Sequence, residues 1–158
     1  MNDGIGSAVT LTIIVAFIIV VSTYMAFNVN YTKAFRVKNK IVDSYNKYGI
    51  ACRNALDSSN PCNKEIEDYA RSLGYEPHNV ECPEVSATDP YPVKTKYYCA
   101  SSHKKPRDPD SVDDGDYYYF SITTTIDIDI PIVKNIFGLR FLTITGDTKT
   151  IKVLNSDS

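Results

Sequence analysis

The chain has 158 residues and a formal net charge of −2, which leaves room for one modest core and gives no electrostatic reason to bind nucleic acid. Twelve Tyr, no Trp and four Cys, with much Thr, Ile and Asp, favour a β-rich soluble part that needs covalent staples.

No charged side chain occurs between Asp3 and Lys33, and residues 8–27 (AVTLTIIVAFIIVVSTYMAF) are almost continuously apolar. In helical form such a run covers about 30 Å, the thickness of a bilayer's hydrocarbon layer. Residues 1–7 precede it as a short N-terminal leader or tail. They lack the basic start of a secretory signal, and Tyr24 is too bulky at position −3 of the best cleavage site, after Ala26. Residues 8–27 are therefore read as a retained transmembrane helix. A buried core helix of that length and composition would be out of scale with so small a domain.

Helical periodicity continues through residues 28–48, an amphipathic stem in which Tyr31, Ala34, Val37, Ile41, Tyr45 and Tyr48 recur at steps of three or four. This seam packs on the chain's own domain, or docks neighbouring subunits, or does each along a different length. Gly49 interrupts it, with Ile50, Ala51, Ala55 and Leu56 extending the helix after a kink.

Two signals set the side of the membrane on which residues 49–158 sit, and they disagree. Lys33, Arg36, Lys38 and Lys40 follow the span, which by the positive-inside rule places the domain in the cytoplasm. Cys52, Cys62, Cys82 and Cys99 contain no C-x-x-C knuckle, so zinc is poorly matched and two disulfides in an oxidising compartment fit better. The extracytoplasmic placement is preferred, because the charge rule is statistical and the basic residues also continue a helical stripe. Of three possible pairings, Cys52–Cys62 with Cys82–Cys99 closes the shortest loops.

Asn60 as N-cap, Pro61 at the first position and Gly74 at the end delimit a short second helix with Ile66, Tyr69, Ala70 and Leu73 on its buried face. Residues 76–92 read as irregular chain and residues 94–100 (KTKYYCA) as a strand. Residues 103–116 (HKKPRDPDSVDDGD) form a charged loop. Asp110, Asp114 and Asp116 suggest a calcium site there, although Val112 and Ser121 fall where an EF-hand loop requires ligands.

The strongest β signal is YYYFSITTTIDIDI. Tyr118, Phe120, Ile122, Ile126, Ile128 and Ile130 alternate with Tyr119, Ser121, Thr123, Thr125, Asp127 and Asp129, which predicts one dry and one wet face. Pro131 and the PIVKNIFG segment turn the chain. Residues 139–145 and 148–154 supply two further strands, with Gly146–Asp147 as a tight connection.

Catalytic signatures are missing: there is no Gly-rich phosphate loop, no H-E-x-x-H and no G-x-S-x-G. Asp127 and Asp129 share a strand face at about 7 Å, a glycosidase-like separation, but exposed acids on a strand are far commoner. His78 and His103 fall in polar stretches and read as surface. The chain is therefore expected not to be an enzyme, with no cofactor and no small-molecule substrate.

Two segments resemble the type IV pilin superfamily, and within it the TadE/TadG-like pseudopilins of tight-adherence (Flp) pili. One is GIGSAVTLTIIVAFIIVVSTYMAFNVNYTKAFRVKN, a short leader, apolar span and amphipathic continuation. The other is TTIDIDIPIVKNIFGLRFLTITGDTKTI, a closing pattern of strand, proline-containing turn and strand. Together they cover under half of the chain. The resemblance implies an α+β, pilin-like fold: a long N-terminal transmembrane and amphipathic helix packed by a small antiparallel sheet, with a short second helix and disulfides. It implies a minor subunit of a surface appendage or secretion machine, whose partners are membrane lipid and other pilin-like subunits or assembly proteins, with roles in adhesion and protein–protein interaction. In such families a leader ending in Gly is removed and a Glu at the fifth mature position guides assembly. A cut after Gly6 would put Leu11 there, which points to an accessory role. The alternative from the residues alone is a membrane-tethered extracytoplasmic binding or sensor domain that does not polymerise.

Overall fold

The computed structural model describes residues 2–53, 60–80, 82–83, 89, 93–106, 116–127 and 141–153. One helix, α1, runs unbroken over Asn2–Tyr48, so the leader, span and stem are a single rod of 47 residues. No Pro falls within it to break the backbone ladder. Gly49 ends it at φ +60, a left-handed conformation that favours glycine, and a single 3-10 turn over Gly49–Arg53 follows. Ala55 and Leu56 lie outside the described residues.

A second helix, α2, spans Pro61–Ser72. Asn60 Oδ1 accepts from the Cys62 N–H at 2.9 Å, and the Asn60 amide donates to the Ala51 carbonyl, so one side chain starts α2 and ties it to the turn before it. The other end closes as a Schellman motif, with Tyr75 N–H donating to Ala70 O and Gly74 N–H to Arg71 O, both at 2.9 Å, and Gly74 at φ +61. Cys62, Ile66 and Ala70 are buried; Tyr69 and Leu73 are half-buried and pack against the core.

Five strands form one antiparallel sheet: β1 (Val93–Lys94), β2 (Cys99–Lys104), β3 (Asp116–Asp127), β4 (Phe141–Asp147) and β5 (Ile151–Val153). Their order is β1-β2-β3-β4, with β5 also on β3. The segment read as one strand over residues 94–100 is instead a hairpin. Thr95 makes the turn: its N–H donates to Tyr98 O at 2.9 Å, and its hydroxyl accepts from the N–H groups of Tyr97 and Tyr98.

The expected hairpin at Gly146–Asp147 is also replaced. Both residues lie inside β4, opposite Ile122 and Ser121. Ser121 faces Asp147 and Tyr118 faces Ile151, so two residues of β3 stand against three of the other chain segment. β4 and β5 are thus one edge strand interrupted by a β-bulge at residues 149–150. Thr148 holds the ladder on its near side, donating its N–H to Phe120 O and accepting the Phe120 N–H on its hydroxyl, both at 2.9 Å.

The core lies between the sheet, the second half of α1 and α2. Ala34, Val37, Ile41 and Tyr45 of α1 meet Phe120, Ile122 and Ile126 of β3, with Tyr98 beside them. The dry face of β3 is as expected through Ile126; Ile128, Ile130 and Asp129 fall outside the described residues. The wet face is not. Thr123 and Thr125 are 2% and 0% exposed. The chain leaving α2 covers this end of β3. The Tyr75 hydroxyl donates to Thr125 O at 2.7 Å and accepts the Thr125 N–H at 3.1 Å, standing in for the partner that β2 does not extend far enough to provide. Thr123 shares a small hollow with Cys82 and Cys99 and pairs its hydroxyl with Thr145 at 3.2 Å.

Candidate functional site

Among the described residues, nothing covers the most apolar part of the first half of α1. Its most apolar window is 0% buried, and it is long and apolar enough to be a candidate membrane span. Leu11, Phe17 and Val20 project freely. The hydroxyls of Thr10 and Thr12 donate to the carbonyls of Gly6 and Ala8 at 2.9 Å, so these polar groups are satisfied within the helix, as a lipid environment demands.

Above residue 27 the helix surface divides. Phe27, Tyr31 and Phe35 form an aromatic ladder with centroids 6.3 and 6.2 Å apart, and Lys38 Nζ lies 4.5 Å from the Phe35 ring centre. Tyr31 and Phe35 remain exposed. Of the seam expected to dock neighbours, Ala34, Val37, Ile41 and Tyr45 are 0% exposed beneath the chain's own sheet. Of the readings offered for the seam, these four positions follow the one in which it packs on the chain's own domain, because β3 lies across them. Tyr48 is half-buried and donates its hydroxyl to Glu65 Oε2 at 3.0 Å. Tyr31 is the one member of the seam left open.

Two disulfides join all four cysteines, Cys52 to Cys62 and Cys82 to Cys99. The first closes the end of α1 onto the start of α2. The second fixes the chain after α2 to β2 on the outer face of the sheet.

Glu65 is a binding hub that sequence reasoning missed. Lys40 Nζ donates to its Oε1 at 2.5 Å, and Lys47 Nζ lies 3.3 Å from its Oε2. The Lys40 hydrogen bond first, then those from Tyr48 and Lys47, hold its carboxyl down at about 2. The usable signal was Lys40 and Lys47, two turns apart on one side of the stem. Buried tyrosines shift the other way. Burial, then the neighbouring Tyr98, pushes Tyr45 well above the usual phenol range; the two hydroxyls are 3.3 Å apart. Burial raises Tyr75 and Tyr98 to about 12.

The polar residues singled out in the sequence scatter. Asp110 and Asp114 lie outside the described residues. Asp116 opens β3 and is paired with Lys104 at 2.8 Å. His103 stacks on Tyr119 at 5.0 Å. His78 and Asp127, taken separately in the sequence, come together: Asp127 Oδ2 accepts the His78 backbone N–H at 2.5 Å and lies 3.0 Å from its Nδ1. They line a cavity of about 190 Å³ with Asn30 and Lys33 of α1 and Glu76. It opens at the end of the globular part nearest the bare helix. The geometry offers membrane attachment, a display surface and one small polar recess beside the helix. No family model, curated protein or solved structure matches the chain.

Proposed function

We propose that this chain is a single-pass, membrane-anchored, pilin-like minor subunit of a surface appendage or secretion machine, with its head outside the cytoplasm, acting by packing and recognition. The observation that supports this reading is the division of α1: a bare apolar half, and a half roofed by an antiparallel sheet that binds helix and head into one body. Such a subunit exchanges lipid for neighbouring apolar helices when it assembles, with its head left in solvent. The exposed ladder of Tyr31 and Phe35 continues that apolar surface beyond the span. The two disulfides support the extracytoplasmic placement.

Shearing of cells followed by immunolabelling of the released material tests the reading. Antigen on filaments supports it; antigen confined to membrane fractions as monomers overturns assembly and favours a tethered binding or sensor domain. Thiol labelling of intact cells with and without reductant tests the placement, since free and inaccessible thiols would put the head in the cytoplasm.

A further inference from the structure

The recess beside α1 has a position, a charge pattern and a shape that together select a ligand. Asn30 and Lys33 lie three and six residues beyond Phe27, or about 4.5 and 9 Å along the helix axis, and side chains on a helix lean toward its N-terminus, here the side of the apolar half. The headgroup zone adds about 5–8 Å to each side of the hydrocarbon layer, so Asn30 falls inside it and the Lys33 backbone just beyond its edge.

Among the described residues Lys33 has no carboxylate within ion-pair distance, whereas Lys40, Lys47, Arg71 and Lys104 each have one. Gly74 borders it, with Lys33 Nζ at ordinary contact distance, 3.6 Å, from where a Cβ would stand. The same recess carries two carboxylates, Glu76, which is exposed, and Asp127, which is half-buried and oriented by its two contacts to His78. The lining thus gathers an ammonium, an amide and a pair of acids around one recess.

We infer that this recess seats the phosphoethanolamine headgroup of a phospholipid from the leaflet in which the span ends, with the phosphate on Lys33 and Asn30 and the primary ammonium on Glu76 and Asp127. The inference rests on α1 being a membrane anchor. A purely anionic headgroup leaves both carboxylates facing negative charge, and a phosphocholine headgroup has no N–H to donate to them. A group with both signs and a protonated amine finds a partner for the ammonium and for the acids of this lining.

The test is native mass spectrometry of the full chain released from nanodiscs containing equal parts of phosphatidylethanolamine, phosphatidylglycerol and phosphatidylcholine with the same acyl chains. The expected result is one retained phosphatidylethanolamine, favoured about tenfold over the other two, with that preference lost in both Lys33→Gln and Glu76→Gln. Unchanged thermal unfolding of the two variants shows that the head remains intact. Equal retention of the three lipids, or a preference that survives both substitutions, overturns the inference. Displacement of the lipid by equimolar soluble phosphoethanolamine would also overturn it, by making the occupant a soluble ligand. Flotation with liposomes after alkaline carbonate treatment separates the two layers of the claim: protein that fails to float removes the anchor and the headgroup site together, while protein that floats without lipid preference removes the headgroup site alone.

Discussion

The two halves of α1 are both rich in apolar residues, yet one is bare and the other is sealed. Residues 8–27 are apolar on every side and expose large side chains such as Phe17 and Val20. Residues 34–48 carry a main apolar stripe that β3 covers, with Phe35, Lys and Arg on other faces. The spacing of apolar residues shows that both are helices. Their distribution around the circumference shows which surroundings each one needs: a stripe needs one protein face, and a full cylinder needs an apolar medium or several neighbouring helices.

Substitutions in the two halves should therefore have opposite effects. Tyr45→Ala removes a ring packed against Tyr98 and Phe120 at 6.0 and 5.2 Å, and large-to-small changes at such sites cost about 3–5 kcal/mol. Denaturant unfolding should show that loss in the head, with membrane flotation unchanged. The same cluster should unfold in alkali. Tyr75 and Tyr98 are raised from 10.0 to about 12, so the stability that they contribute is complete below pH 10 and is lost as the pH rises through about 12. Phenolate absorbance should rise together with loss of structure in that window.

Ile18→Arg tests the other half. An Arg near the centre of a spanning helix costs about 2.5–3.5 kcal/mol, so the carbonate-resistant fraction should fall while the melting of the head stays as it was. A head that also unfolded would show that the halves are not independent. Asn60→Ala should cost about 1 kcal/mol, seen as a Tm lower by about 4–8 °C for a head of this size. The smallest effect is expected at Glu65, a half-buried hub of ion pairs. Its carboxyl is lowered from 4.5 to about 2, so its contribution is present above pH 4.5 and is lost as the pH falls toward 2. Glu65→Gln should flatten the acid limb of the stability profile over that interval and leave the alkaline limb unchanged.

Local patterns carried much of this fold. Asn60, Pro61 and Gly74 marked the bounds of α2, and the alternation from Tyr118 to Ile126 marked β3 and the face that meets the stem. What failed depended on contacts distant in sequence. Thr123 and Thr125 look wet by alternation, but Tyr75, far off in the chain, bonds to the Thr125 backbone, and Thr123 lies in a hollow shared with Cys82. Gly146–Asp147 has the composition of a turn, yet pairing to Ile122 and Ser121 draws it into β4. The recess was invisible for the same reason: Lys33, Glu76 and Asp127 come from three elements, and none is unusual in its own neighbourhood.

The bulge at residues 149–150 has a consequence for chain length. The segment from Asp147 to Ile151 holds one residue more than the facing stretch of β3 requires. Removing Thr150 would close the ladder while leaving Asp147 opposite Ser121 and Ile151 opposite Tyr118. A deletion within β3 has no such slack and would turn its buried side chains to the opposite face. The edge strand can thus absorb a one-residue deletion that the central strand cannot.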